Sequence, residues 1–319
     1  MDQTAYQALR QRCAFIDLSG RGKIRVTGED RVRLLHAMCT NHVQQLIPGS
    51  GCYAFFLTPQ GRILADLNIF SMPDHLLLDT EPETRQRVTD HLNEYIIADD
   101  VSLHDFTSDT ATIGLSGPAA EQVLNGLGAM PARADSSLVE WGQAQIAHWS
   151  YTGASGYMIF VPATEKDDLV DQLASAGVPQ ADMEAAEVVR LENARPRFGV
   201  DFSEAQIPQE TQQMQAIHFS KGCYLGQEIV ERVRSRGHVN RLLTPVRIET
   251  MDPPSPGTAV EDQGKPVGET FSAAYSPALG EVVAFAMLRA EALAGSDHDL
   301  RAAGALVKPV SYPEPTQER

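Results

Sequence analysis

Up to residue 240, apolar runs of strand length alternate with stretches whose apolar residues recur at helical spacing; beyond Asn240 only short strand-like runs remain, divided by turn-rich segments. A chain that changes pattern in this way must close at least two separate cores. In the first part, residues 24–26 read as the end of a strand, and Thr27 with Asp30 as a capping signal for a helix carrying Val32, Leu35 and Met38 on one face. Residues 52–57 and 62–70 flank Thr58-Pro59-Gln60-Gly61 and read as a hairpin, 75–79 as a third strand, and about 82–98 as a helix. The theme recurs with strands at 101–106 and 112–115, a helix opened by Pro118, strands at 144–150 and 157–161 around a glycine-bounded loop, and a helix opened by Thr164 and Asp167. A further helix is expected from 181 to about 193. Strand-like runs at 242–248, 266–275, 280–288 and 305–310 complete the chain. The pattern predicts an α+β fold in which residues 1–240 form two α+β subdomains, divided near residue 110, followed by a small C-terminal β-barrel at 241–319.

Charge narrows the partners. The chain carries 26 Lys and Arg against 42 Asp and Glu, a formal net charge of −16. Affinity for a phosphate backbone rises with the positive charge presented, so direct nucleic-acid binding is not expected. No stretch approaches the ~20 apolar residues that span a bilayer, and the opening MDQTAYQALRQRCAF lacks the basic-then-apolar order of a secretory leader. The expected location is the cytoplasm, with no membrane partner. The charges between residues 4 and 12 read as serving solubility alone. Cys13, Cys39, Cys52 and Cys223 form no CxxC pair, and the nine histidines never fall at ligand spacing, although His36 and His42, or His218 and His238, could meet in space. No metal site is predicted. Glycine-rich dinucleotide and P-loop patterns, HExxH and GxSxG are all missing, which disfavours dinucleotide redox, nucleotide hydrolysis and serine hydrolysis.

Three places remain where the residues suggest chemistry. In Lys221-Gly222-Cys223-Tyr224-Leu225-Gly226-Gln227-Glu228 two glycines bracket a cysteine and a tyrosine ahead of a helix start. Lys221 and the helix N-terminus would both favour a Cys223 thiolate, a nucleophile, ligand or redox handle. The alternative is a small buried cysteine. Glu192 lies near a helix end, where the dipole disfavours an anion. Either Arg190 or Arg195 pairs with it, or it reads a heterocycle with adjacent N–H donors. On the run 62–70, Asp66 shares a face with Leu64 and Asn68. That face meets water, or it lines a polar cavity with Asp66 beside a ligand.

The octapeptide 221–228 resembles the KGCYxGQE signature of the YgfZ-type folate-binding proteins, relatives of the glycine-cleavage aminomethyltransferase, or T-protein. Other blocks resemble the family in the same order: Val26-Thr27-Gly28-Glu29-Asp30 with Thr40-Asn41, the run 58–67, Leu115-Ser116-Gly117-Pro118, Tyr151-Thr152-Gly153 with Gly156-Tyr157, Arg190-Leu191-Glu192 with Arg195-Pro196, and Pro208-Gln209-Glu210. The resemblance implies a cloverleaf of α+β subdomains around a central tetrahydrofolate cavity, followed by the barrel. It implies a role in iron–sulfur cluster assembly or repair, with iron–sulfur client proteins as partners and tRNA modification by cluster enzymes downstream. Glu192 would contact the pterin and Asp66 would lie near the folate's reactive nitrogens. Tyr151 and Arg197 are further cofactor-binding candidates, and Cys223 and Lys221 join Asp66 as candidates for catalysis.

Where T-proteins of the resembled family carry acidic residues in the Tyr-Thr-Gly loop, this chain has Ala154 and Met158. An accessory factor without the glycine-cleavage reaction is therefore expected. Two alternatives stay open. One is a folate-dependent one-carbon (aminomethyl) transferase with Asp66 as base or electrostatic partner. The other is a cluster-transfer scaffold using Cys223, which would need ligands from elsewhere because one thiolate does not hold a four-ligand cluster. Residues 221–247 also carry six Lys and Arg against two Glu, a basic strip that could receive the anionic tail of folate or an acidic client.

Overall fold

The computed structural model describes residues 1–295 and 298–312, so part of the segment expected as barrel, 313–319, lies outside the described residues. The chain begins with α1 (Gln3–Gln11) and β1 (Ala14–Asp17). Next come β2 (Gly22–Thr27), α2 (Arg31–Met38), β3 (Gly51–Leu57), β4 (Ile63–Ser71), β5 (Leu76–Thr80), α3 (Arg85–Tyr95) and β6 (Ser102–Asp105). These strands form a sheet in the order β3-β4-β5-β2-β6. A second α+β unit holds β7 (Thr110–Ser116), α4 (Ala120–Gly126), β8 (Leu138–Trp141), β9 (Ala144–Ala147), β10 (Gly156–Pro162) and α5 (Lys166–Ser175). Its sheet runs β1-β7-β10-β9-β8, so the chain visits the second sheet before it builds the first.

After α6 (Met183–Glu192) comes a long irregular segment, then α7 (Gln227–Arg236). The remaining strands are β11 (Arg241–Ile248), β12 (Ala259–Asp262), β13 (Lys265–Ser276), β14 (Glu281–Arg289), β15 (Leu300–Ala302) and β16 (Ala305–Pro309), which close a barrel in the order β11-β14-β13-β12-β15-β16. The mixed α and β architecture with a closed six-stranded barrel at its C-terminal end is the fold class that the pattern predicts. Among the described residues no helix is long and apolar enough to cross a membrane.

Packing explains the elements that the periodicity leaves out. The helix α1 is short and polar, yet Asp2 caps it by accepting from Thr4 N at 2.8 Å, and Ala5, Tyr6 and Leu9 bury their side chains against Ala185, Ala186 and Val189 of α6. The small residues of α6 permit that close approach. Asp30 does stand at the start of α2, but its side chain does not cap the helix. Asp30 Oδ2 instead accepts from Asp100 N at 2.9 Å and ties down the loop before β6.

Two interfaces position the centre of the molecule. Phe70 and Leu77 of the first sheet pack against Leu138, Met158 and Phe160 of the second. Phe55, Leu57 and Ile63 join Leu191 of α6, Phe198 and Phe202 beyond it, and Leu243, Phe285 and Met287 of the barrel, in one core. The hairpin β3–β4 is thereby held on several sides. Its turn is also pinned by Gly226, whose φ of +79° suits glycine and whose Cβ, were there one, would sit 2.6 Å from the carbonyl oxygen of Thr58.

Candidate functional site

On β4 the side chains alternate. Ala65, Leu67 and Ile69 enter the core beneath α2 and α3, while Asp66 and Asn68 point to the centre of the molecule. The antiparallel register then lays Tyr53, Asn68 and Asp79 across three neighbouring strands. Asp66 is 9% and Asn68 2% exposed, so this face does not meet bulk water. It lines a small cavity closed by Trp149 and Tyr151 from the loop after β9 and by Arg190, Arg195 and Arg197 from α6 and the segment after it.

The cavity is a charge network. Arg21 donates from Nε and Nη2 to the two carboxylate oxygens of Asp79, at 2.8 and 2.7 Å, and also pairs with Glu81. Arg197 Nε donates to the other oxygen of Glu81 at 2.8 Å, and Asn68 Nδ2 donates to Asp79 at 2.8 Å. Burial alone would push the Glu81 carboxyl up, but Arg21 and Arg197 hold it below its ordinary value. Asp66 goes the other way. Burial, then the charge of Glu81, push it up to about 6, against the pull of the Tyr53 hydroxyl, which donates to Asp66 Oδ2 at 2.8 Å, and of Arg21 and Arg195.

Behind this layer, Tyr151 donates to Glu187 at 2.6 Å, and Arg190, fully buried, is spent on Glu187, on Asp201 at 2.6 Å and on the carbonyl of Arg195 at 2.6 Å. Two buried polar atoms of the lining have no partner: Asn68 Oδ1, an acceptor, and Trp149 Nε1, a donor. Each such atom is costly to leave unmade. A donor offered to Asn68 Oδ1 and an acceptor offered to Trp149 Nε1 would satisfy them.

Two family models match in tandem, the GCVT N-terminal domain over residues 2–221 and the glycine cleavage T-protein C-terminal barrel domain over residues 241–315. The chain belongs to the GCVT family. The solved structure of the glycine cleavage system aminomethyltransferase T from Bartonella henselae superposes with a TM-score of 0.89 at 19% identity, covering 97% of this chain and 88% of that one, a likeness of fold. A chloroplastic protein of Arabidopsis thaliana named as a transferase is 28% identical over 85% of this chain, but that match spans only 64% of its own length. The aminomethyltransferase of Rubrobacter xylanophilus is 27% identical over 91% of this chain and 80% of its own. That of Geobacillus kaustophilus is 28% identical over 98% and 90%.

Of the site residues expected in this GCVT chain from its sequence, Asp66, Tyr151 and Arg197 line one cavity. Glu192 is not brought to it. Its carboxylate accepts from Tyr6 at 2.6 Å, Arg10 at 2.7 Å and Ser276 at 2.6 Å, between α1 and the barrel. Its cation is therefore Arg10, not Arg190 or Arg195, and the charges of residues 4–12 do more than aid solubility. Lys221 is buried and spends all three donors of its ammonium on the carbonyls of His36, Cys39 and Asn41, at 2.6, 2.6 and 2.7 Å. Those are carbonyls at and beyond the C-terminal end of α2, which a helix leaves unpaired. Lys221 is thus a cap on α2, its ammonium committed to those carbonyls and not held free to favour a Cys223 thiolate; Cys223 stands exposed, against the buried-thiol alternative.

His36 and His42 do meet, with ring centroids 4.6 Å apart, and His218 joins them at 4.9 Å from His42. Among the described residues no group of three or more His, Cys, Asp or Glu could hold a metal ion. The basic strip is largely paired within the molecule. Arg234 lies over Phe219 and near Glu231, Arg241 near Glu210, and Arg247 near Glu281. The side chain of Arg236 lies outside the described residues. Sequence reasoning missed Tyr53, Glu187 and Trp149, and saw Arg195 only as a salt-bridge candidate. The alternation that put Asn68 beside Asp66 was the signal available for the site; Trp149 carried none.

Proposed function

We propose that this protein binds tetrahydrofolate in the cavity at Asp66, belongs to the YgfZ-type branch of its family, and supports assembly or repair of iron–sulfur proteins, and through them tRNA modification by cluster enzymes. The observation that carries the folate reading is the pair of buried, unpartnered atoms, Asn68 Oδ1 and Trp149 Nε1. A pterin presents N–H donors next to carbonyl and ring-nitrogen acceptors, which suits an unpaired acceptor and an unpaired donor in one cavity. Asp66 and Asn68 would hold the polar edge, Tyr53 would orient Asp66, and Trp149 would offer its indole N–H. Tetrahydrofolate, when bound, supplies a carrier for one-carbon units.

An accessory role is favoured over glycine cleavage by the loop before and within β10. Ala154 carries no charge, and Met158 is buried in the apolar layer with Phe70, Leu77 and Phe160, so no carboxylate stands at either place. A second reading rests on the raised Asp66. A carboxyl pushed up to about 6 can give or take a proton near neutral pH, which suits folate-dependent one-carbon transfer, and relatives named aminomethyltransferase stand beside it. Exposure of Cys223 leaves its thiol within reach of an iron–sulfur client or of a cluster shared with one. Four free cysteines suit a reducing compartment such as the cytoplasm.

The test is replacement in cells that lack the protein. Activity of an iron–sulfur enzyme is expected to return with the wild type and to fall short with Cys223→Ser, while purified Cys223→Ser keeps its folate affinity. Turnover of a lipoyl-bound aminomethyl group by the purified protein, or equal loss of affinity and cellular role in Cys223→Ser, would overturn the accessory reading.

A further inference from the structure

Every charged side chain that lines the cavity is tied to a partner except one. Arg21, Glu81, Arg190 and Arg197 form ion pairs and Asp66 accepts from Tyr53, whereas the guanidinium of Arg195 has neither hydrogen bond nor ion pair among the described residues. It rests instead on aromatic faces, 5.6 Å from the ring centroid of Tyr53 and 5.0 Å from that of Trp149. The space left in the cavity is about 20 Å³, room for a water molecule and for no ring. Something must leave before a flat ligand enters, and Arg195 is the charged group with no hydrogen bond or ion pair to lose, its tie to Asp66 being one of charge alone.

Its backbone is held firmly. Arg195 N donates to the carbonyl of Arg190 at 3.0 Å, Ala194 before it has a φ of +51°, and Pro196 follows. Gly153, at φ +74°, passes so close that a Cβ there would lie 3.0 Å from Arg195 Cβ. Motion is thereby confined to the side-chain torsions; the guanidinium itself is enclosed, while the residue as a whole is half-buried rather than sealed in the core.

We propose that Arg195 is an internal occupant of the ligand's ring subsite: its planar guanidinium fills the place against Tyr53 and Trp149 that a flat, N–H-bearing heterocycle takes when it binds, and it swings out on binding. This rests on the folate reading for the identity of the heterocycle. A guanidinium matches such a ring in flatness and in its donors, while its attraction to each aromatic face is weak enough to be displaced. Ligands that cannot stack between Tyr53 and Trp149 would then fail to displace it, which makes Arg195 a residue of specificity as well as of occupancy.

The experiment uses the full chain with Trp141→Phe, which leaves Trp149 as the one indole of the protein's two. Calorimetry measures tetrahydrofolate binding, and Trp149 fluorescence measures binding of guanidinium ion at millimolar, non-denaturing concentration. Removing the occupant in Arg195→Ala is expected to tighten folate binding about ten-fold, the scale of the stacking contacts no longer broken on entry. Guanidinium is expected to change Trp149 fluorescence and to weaken folate binding in Arg195→Ala but not in its parent. Folate binding that is unchanged or weaker in Arg195→Ala, with no guanidinium response, would overturn the proposal and make Arg195 a ligand contact. If neither protein binds folate, the folate reading fails, and the guanidinium response alone decides: present only in the variant it upholds the occupant, absent it overturns it. Should Arg195→Ala not fold, Arg195→Lys, which keeps the charge and loses the planar group, is read in the same way for a smaller shift.

Discussion

Asp66 is buried next to a second carboxylate, Glu81, and that neighbour already has the guanidinium groups of Arg21 and Arg197. With its own charge poorly compensated, Asp66 titrates late, at about 6 against an ordinary 3.8. A carboxyl raised in the folded state keeps its proton after the unfolded chain has lost its own, so it penalises folding progressively as pH climbs from about 4 to about 6 and fully above that. Asp66→Asn keeps an acceptor for Tyr53 and removes the charge. The variant is expected to be more stable than wild type at about pH 7.5, by on the order of 2 kcal/mol, and to lose that advantage at about pH 4. Thermal melts across that range check it, and a difference in melting temperature that does not change with pH would contradict the assignment. Such stored cost at a site residue is what a binding pocket tuned for a ligand would show.

Elements explain which parts of the site sequence could reveal. The hairpin expected at 52–57 and 62–70 is β3 and β4, and its alternation led directly to Asp66 and Asn68. The strands β12 and β15 are only four and three residues long with polar residues alternating, and α1 buries one narrow stripe, so each owes its existence to packing rather than to pattern. Because α1 was not foreseen, neither was Arg10 as the partner of Glu192. The octapeptide was visible, yet its parts do different work: Lys221 closes the end of α2, Gly226 seats α7 on the hairpin turn, and Cys223 is left outside. Of the two glycines, Gly222 shows neither positive φ nor a close neighbour. Lys221→Met strands three carbonyls and is expected to lower stability by about 2–4 kcal/mol, whereas Cys223→Ser leaves it unchanged. Denaturant unfolding of the two variants separates them, and equal losses would contradict the division of roles.

At the scale of the molecule, the cavity belongs to no single unit. Tyr53, Asp66 and Asn68 come from the first sheet, Trp149 and Tyr151 from the second unit, and Arg190, Arg195 and Arg197 from α6 and the chain that leaves it. The barrel braces that last segment at two points: Ser272 donates to Asp201, the partner of Arg190, and Ser276 donates to Glu192 at 2.6 Å. Contacts between residues more than a hundred positions apart are set by topology, which is why the composition and periodicity of the chain pointed to its architecture but not to the aromatic walls of its site. Calorimetric titration of tetrahydrofolate into the wild type and into Asn68→Ala tests the central claim most directly. One-to-one binding with Kd below about 100 μM, weakened about ten-fold or more in Asn68→Ala, is the expected result; no heat of binding in the wild type, or equal affinity in the two proteins, would contradict it.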